Sequence, residues 1–141
     1  MRITVLALTA ALLLGAAGCR SSSDAIESRS SVKGSVTVAG KPAPGLIVRF
    51  HLEDGTADKR APKSVEAMTD SDGNFTVSQN RPDDGLASGK YAVTFFWPPG
   101  GDADAPAGTD QLKGRYLVPE KSKISVEVQS SSNRLPAFEL K

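Results

Sequence analysis

The chain has 141 residues, enough for one domain, and its 17 basic and 16 acidic residues leave a net charge of +1. This balance, with no cluster of cations along the chain, excludes sequence-independent binding to nucleic acid, which needs such clusters to neutralise phosphates. The single cysteine, Cys19, excludes an intramolecular disulfide, so packing alone has to stabilise the fold.

The first 18 residues have the features of an export signal. Arg2 supplies a positive charge, residues 3–14 form an apolar run, and small residues lead from position 15 to Cys19. The run is shorter than the roughly 20 apolar residues that cross a bilayer. Residues 16–19, Ala-Ala-Gly-Cys, resemble the lipobox of bacterial lipoproteins, with alanine where leucine is usual at the first position. The resemblance implies cleavage before Cys19 and acylation of its thiol, which would anchor the mature protein in a membrane.

A serine-rich segment, RSSSDAIESRSS, follows Cys19 and has no apolar period. With Cys19 it predicts a flexible tether over residues 19–31, between the lipid and a folded domain. Position 20 carries arginine, not the aspartate that retains some lipoproteins in the inner membrane. We therefore expect the protein at the outer membrane or cell surface of a bacterial envelope. We also expect an envelope protein or a polysaccharide as its partner.

From Val32 onward the apolar period changes to two, which is typical of β-strands. Seven segments show it: VKGSVTV (32–38), LIVRFHL (46–52), SVEAMT (64–69), NFTVS (74–78), KYAVTFFW (90–97), KISVEV (123–128) and LPAFEL (135–140). The turn-rich AGKPAPG between the first two favours a hairpin. Seven short strands with one apolar face each predict an all-β fold, a seven-stranded antiparallel β-sandwich over residues 32–141.

Several segments also carry a family resemblance. VKGSVTVAGKPAPGLIVRF resembles the opening of the carboxypeptidase regulatory-like domain, a small prealbumin-like (transthyretin-like) sandwich. TDSDGNF, residues 69–75, is similar to that family's Thr-Asp-x-x-Gly-x-Phe motif, and GKYAVT, residues 89–94, to its Gly-x-Tyr-x-Val-x strand. DQLKGRYLVPEKS, residues 110–122, is similar to a segment of bacterial lipoproteins with one such domain. The resemblance implies a Greek-key prealbumin-like topology and an envelope setting, and it transfers no reaction.

The segment TDSDGNF also begins like the calcium loop of an EF-hand. Counting from Asp70, the twelfth position would be Arg81, where calcium needs a bidentate glutamate. The alternative is a tight turn in which Asp70 caps the backbone, Gly73 has a positive φ and Phe75 returns to the core. We expect this turn, and no metal or cofactor.

Candidate catalytic residues are few. His51 is the only histidine and lies beside Arg49 on the polar side of its strand, so we expect it to be exposed. One histidine cannot supply the several His or Cys ligands of a zinc site, nor the metal ligands of enzymes with related folds. No Gly-x-Ser-x-Gly elbow occurs. We expect a protein that is not an enzyme; a small hydrolase with a serine activated by His51 is the least favoured alternative.

The segment around residues 97–116 is long for a loop in a compact domain, and such loops are often functional. It has aromatic residues at its base and acidic residues at its tip. The candidate ligand or partner residues are Phe96, Trp97, Asp102, Asp104 and Tyr116. Three roles stay open: partner binding by an adhesion, scaffold or assembly module; carbohydrate binding on a platform of Phe96 and Trp97; and a structural role in which Trp97 closes the sandwich.

Overall fold

A computed structural model of the chain describes residues 29–53, 63–77 and 85–141. The export signal, Cys19, most of the expected tether and Arg81 lie outside the described residues. The strands are β1 (Val32–Val38), β2 (Lys41–Pro42), β3 (Ile47–Leu52), β4 (Ser64–Met68), β5 (Asn74–Val77), β6 (Gly89–Phe96), β7 (Ile124–Val128), β8 (Asn133–Arg134) and β9 (Phe138–Leu140). A single helical turn, α1 (Pro119–Ser122), precedes β7, and two 3-10 turns cover Pro99–Gly101 and Ala107–Thr109.

The strands form two sheets. In the first sheet, β1 is central: β5 and β2 pair antiparallel with its first and second halves, and β8 and β9 pair with it in parallel. The second sheet has the order β4-β3-β6-β7 and is antiparallel throughout. The two sheets enclose one core cluster drawn from both, so the expected all-β sandwich is confirmed at this level.

The alternation of apolar residues places the core as the sequence predicts. Each of the seven expected strands is present, and residues such as Val36, Phe50 and Val93 are fully buried between the sheets. Phe75 of the first sheet lies with its ring centroid 6.0 Å from that of Phe50 in the second. Its ring also covers Gly34, where a Cβ atom would lie 2.6 Å from Phe75 Cζ. Aromatic packing across the two sheets therefore fixes their spacing.

Two details of the predicted topology are wrong. β1 does not form a hairpin with β3: after two residues of β2 the chain crosses to the second sheet, where Gly45 N donates to Thr69 O. The pairing is also not wholly antiparallel, because the chain returns from β7 to the first sheet and runs in the direction of β1. Strand periodicity shows which face is buried and carries no information about which strand lies alongside.

The domain begins earlier than the serine-rich composition predicts. Ser30 is 4% exposed, and it exchanges two backbone hydrogen bonds with Leu86, of 2.9 and 3.0 Å. Ser31 O accepts a hydrogen bond from Asn133 N at 2.8 Å. These two serines therefore belong to the sandwich, and the predicted tether has to end before Ser30. We call the end of the sandwich where Ser30 lies its N-terminal end.

Candidate functional site

The segment between β6 and β7 leaves the sandwich at the end opposite Ser30, which we call the loop end. β6 starts at Gly89, close in sequence to Leu86 and its bridge to Ser30, and runs eight residues to Phe96. Beyond it, the indole nitrogen of Trp97 donates to Pro44 O at 2.9 Å. Trp97 is half-buried against the core cluster, so it takes part in closing this end of the sandwich.

Asp110 organises the base of the loop. It is 6% exposed, and one carboxylate oxygen accepts hydrogen bonds from Trp97 N (3.0 Å) and Leu112 N (3.1 Å). Its other oxygen accepts from Gly114 N at 2.8 Å. Charged acceptors form the stronger hydrogen bonds of proteins, so this one side chain holds both ends of the loop together. Sequence reasoning missed Asp110; its signal is an aspartate followed four residues later by a glycine in a turn-rich stretch.

The returning part of the loop is structural. Leu112 is 2% exposed and belongs to the core cluster. Tyr116 lies along β6: its carbonyl accepts from Phe95 N at 2.9 Å, and its ring contacts that of Phe95 edge-on at 6.1 Å. The Tyr116 hydroxyl also accepts from Lys141 N at 3.3 Å. The Tyr116 carbonyl therefore continues the hydrogen bonding along β6 beyond the end of β7.

The structure separates the sequence-predicted binding residues into buried and exposed ones. Phe96 is only 4% exposed, so it cannot offer a ring face to a sugar. Trp97 is half-buried with its indole N–H already bonded, and the two-ring platform of the carbohydrate-binding alternative is not formed. Asp102 and Asp104 are exposed at the tip, joined by a hydrogen bond of 3.0 Å from Asp104 N to Asp102 Oδ1.

The exposed part of the loop adjoins an apolar depression on the outer side of the second sheet. A cavity of about 210 Å³ there is lined by Ile47, Glu66, Ala67, Met68 and Ala103. Met68, which lines this depression, is 50% exposed. None of residues 99–109 is buried. We call these residues and the depression the loop surface.

His51 lies on the same outer side and is half-buried, so the expectation of an exposed histidine holds only in part. Its Nε2 is 2.8 Å from the hydroxyl of Thr94, a residue that is only 2% exposed. Burial lowers the pKa of His51, and the neighbouring Arg49, which is ion-paired with Glu66, lowers it further. The neighbour of His51 is thus a buried threonine, which no substrate can reach, and this geometry does not favour the hydrolase alternative.

The turn in TDSDGNF is confirmed. Asp70 Oδ1 accepts hydrogen bonds from Asp72 N and Asn74 N, both at 2.9 Å, and Gly73 has a φ of +76°. A Cβ atom at Gly73 would lie 2.5 Å from Val36 O, so glycine is also required by the close approach. Within residues 29–53, 63–77 and 85–141, no three His, Cys, Asp or Glu side chains are grouped to hold a metal ion.

Known families do not assign this chain to a class. No family model matches it, and no curated protein matches it. In the described part of the chain, no helix has the length and apolar character needed to span a membrane. The fold and the loop surface therefore stand on their own as the basis for a functional proposal.

Proposed function

We propose that this protein is a lipid-anchored, non-enzymatic component of the bacterial cell envelope that acts as an adhesion, scaffold or assembly module. In this proposal Cys19 carries the lipid, residues 20–29 link it to the sandwich, and the loop surface binds an envelope partner. The outer membrane or cell surface is the proposed location, because Arg20 follows the cysteine.

The observation that carries the proposal is that the N-terminal segment and the loop surface lie at opposite ends of the sandwich. Ser30 is fixed to Leu86 at the N-terminal end, whereas Trp97 is bonded to Pro44 at the loop end. An anchor that joins the chain at Ser30 would leave the loop surface at the far side of the domain from its attachment. Loops at strand ends carry most binding functions of sandwich domains, since the sheets supply a rigid support.

We also propose that the sandwich has the Greek-key, prealbumin-like topology of carboxypeptidase regulatory-like domains. Two motif segments support this. The turn of TDSDGNF connects β4 in the second sheet to β5 in the first, and GKYAVT forms most of β6, an inner strand of the second sheet. The first of these segments thus lies where the chain passes from one sheet to the other, and the second lies in the interior of a sheet.

The anchor is tested by moving the thiol. We expect Cys19→Ser to abolish incorporation of labelled palmitate and to leave uncleaved precursor, because a hydroxyl does not replace the thiolate as acyl acceptor. The matched control is the double variant Cys19→Ser/Ser22→Cys, which restores one cysteine three residues later and should stay unlabelled. Labelling of the Cys19→Ser chain at wild-type level would contradict the proposal.

A further inference from the structure

The outer side of the first sheet carries a groove at the N-terminal end of the sandwich. It has a volume of about 210 Å³ and is lined by Lys33, Gly34, Ser35, Asn74, Phe75, Thr76, Arg134 and Leu135. Lys33 of β1 is paired in register with Arg134 of β8 on one side and with Thr76 of β5 on the other. Ser35 is paired with Asn74 in the next outward-facing row. The outward-facing side chains of the groove are therefore two cations and three neutral polar groups.

The two cations lie directly opposite each other on neighbouring strands. Residues directly opposite in a sheet have Cβ atoms about 5 Å apart, and like charges at such positions are unfavourable. Among the residues that the structure describes, no carboxylate forms an ion pair with Lys33 or Arg134, and none lines the groove. An anion lying between the two side chains would offset their repulsion. The neutral hydroxyl and amide groups of the groove would supply further hydrogen bonds to its oxygens.

The position of the groove indicates which anion is near. Lys33 in β1 follows Ser30 by three residues, a distance of at most about 10 Å for extended chain. Ten residues separate Cys19 from Ser30, and a coil of that length reaches about 18 Å on average and about 36 Å when fully extended. A domain held by Cys19 would therefore keep this groove within reach of the lipid headgroups.

We propose that the groove between Lys33 and Arg134 docks the first sheet on the membrane by binding the phosphates of anionic phospholipids. The inference rests on the proposed function for its setting, since it is the anchor that brings the domain to the bilayer. Near an anionic membrane surface, basic side chains add electrostatic attraction to the binding that a lipid anchor supplies. Docking here leaves the loop surface, at the other end of the sandwich, clear of the membrane.

The test measures binding of the full chain with Cys19→Ser, so that no acyl group contributes and the outcome does not depend on lipidation. Cosedimentation is compared between two kinds of vesicle. One contains phosphatidylcholine alone, and the other contains equal amounts of phosphatidylcholine and phosphatidylglycerol. The apolar segment at residues 3–14 is the same in every variant, so the ratio of the two affinities reports the electrostatic contribution.

In this assay, Lys33→Gln/Arg134→Gln should reduce the preference for phosphatidylglycerol by about 5-fold per charge, or about 25-fold in total. The control Lys41→Gln/Lys121→Gln removes the same charge from two exposed lysines outside the groove and should keep the preference. Equal losses in the two double variants, or no preference in the parent chain, would overturn the proposal. Saturable binding of inorganic phosphate that needs Lys33 and Arg134, together with no preference for phosphatidylglycerol vesicles, would overturn the choice of lipid and identify a site for free phosphate.

Discussion

At the scale of single residues, His51 is the titratable group through which pH acts on the outer side of the second sheet. His51 is hydrogen-bonded to the buried hydroxyl of Thr94, and its ring is partly withdrawn from water. The Thr94 hydroxyl can bond to the ring nitrogen in either protonation state, so the preference for the neutral form comes from burial and from Arg49. Protonation would place a charge beside Arg49, in a partly desolvated position.

We therefore expect acid to destabilise the protein through His51. Burial, and secondarily Arg49, lowers the pKa of the folded state below the ordinary 6.5, so the unfolded chain takes up the proton first as the pH falls. With respect to His51, the free energy of unfolding is highest above pH 6.5. It decreases as the pH falls from there to the lower pKa of the folded state. Urea denaturation across this range should show the slope in the parent chain and not in His51→Gln, which retains a side chain that can bond to Thr94. A common slope in both chains would assign the effect to other groups.

At the scale of elements, the long loop consists of two parts with different roles. Residues 99–109 are all unburied, whereas Asp110 and Leu112 are buried and connected to the rest of the fold. The two aromatic residues that the sequence indicates as candidate ligand residues belong with the buried part. Phe96 lies in β6, and the indole of Trp97 is hydrogen-bonded to Pro44 at the loop end. The length of the segment therefore did not show which half is exposed and which half is part of the fold.

Shortening residues 99–109 to a Gly-Ser linker should leave the thermal transition of the domain nearly unchanged and reduce crosslinking to envelope partners in intact cells. Unfolding of the shortened chain, or unchanged crosslinking by it, would contradict a binding role for the tip.

Asp110→Ala should instead cost about 2–4 kcal/mol of unfolding free energy, because three backbone N–H groups lose their acceptor. The control Asp102→Ala removes an exposed carboxylate with one such bond and should change stability by less than about 0.5 kcal/mol.

At the scale of the whole molecule, the junction between the N-terminal segment and the sandwich decides how the domain is attached. Ser30 packs against Gly85 so closely that a Cβ atom at Gly85 would lie 1.6 Å from Ser30 O. The bridge between Ser30 and Leu86 thus depends on a residue without a side chain. A firm junction would limit the range of positions that an anchored domain can take.

Gly85→Ala should detach residues 30–31 and make the bond after Arg29 several times more sensitive to trypsin. The control is Gly100→Ala: its φ of +71° is close to the +66° of Gly85, so backbone strain is similar, but nothing lies within 4 Å of the added Cβ atom. Cleavage after Arg29 should stay slow in this control. Equal cleavage rates in the two variants would show that the junction contributes nothing to the protection of this segment.

The sequence by itself determined the all-β class, the seven main strands and their buried faces, because strand periodicity is a local property that burial on one face imposes. It also determined the Asp70 turn, whose hydrogen bonds span only four residues. The partners of β1, the crossing from β2 to β3 and the parallel return of β8 and β9 were decided only by the tertiary structure. So were the burial of Phe96, the hydrogen bonds of Asp110 across the base of the loop and the pairing of Lys33 with Arg134. These features depend on contacts between segments that are separate along the chain. No local sequence pattern shows which distant segment comes to lie beside a strand.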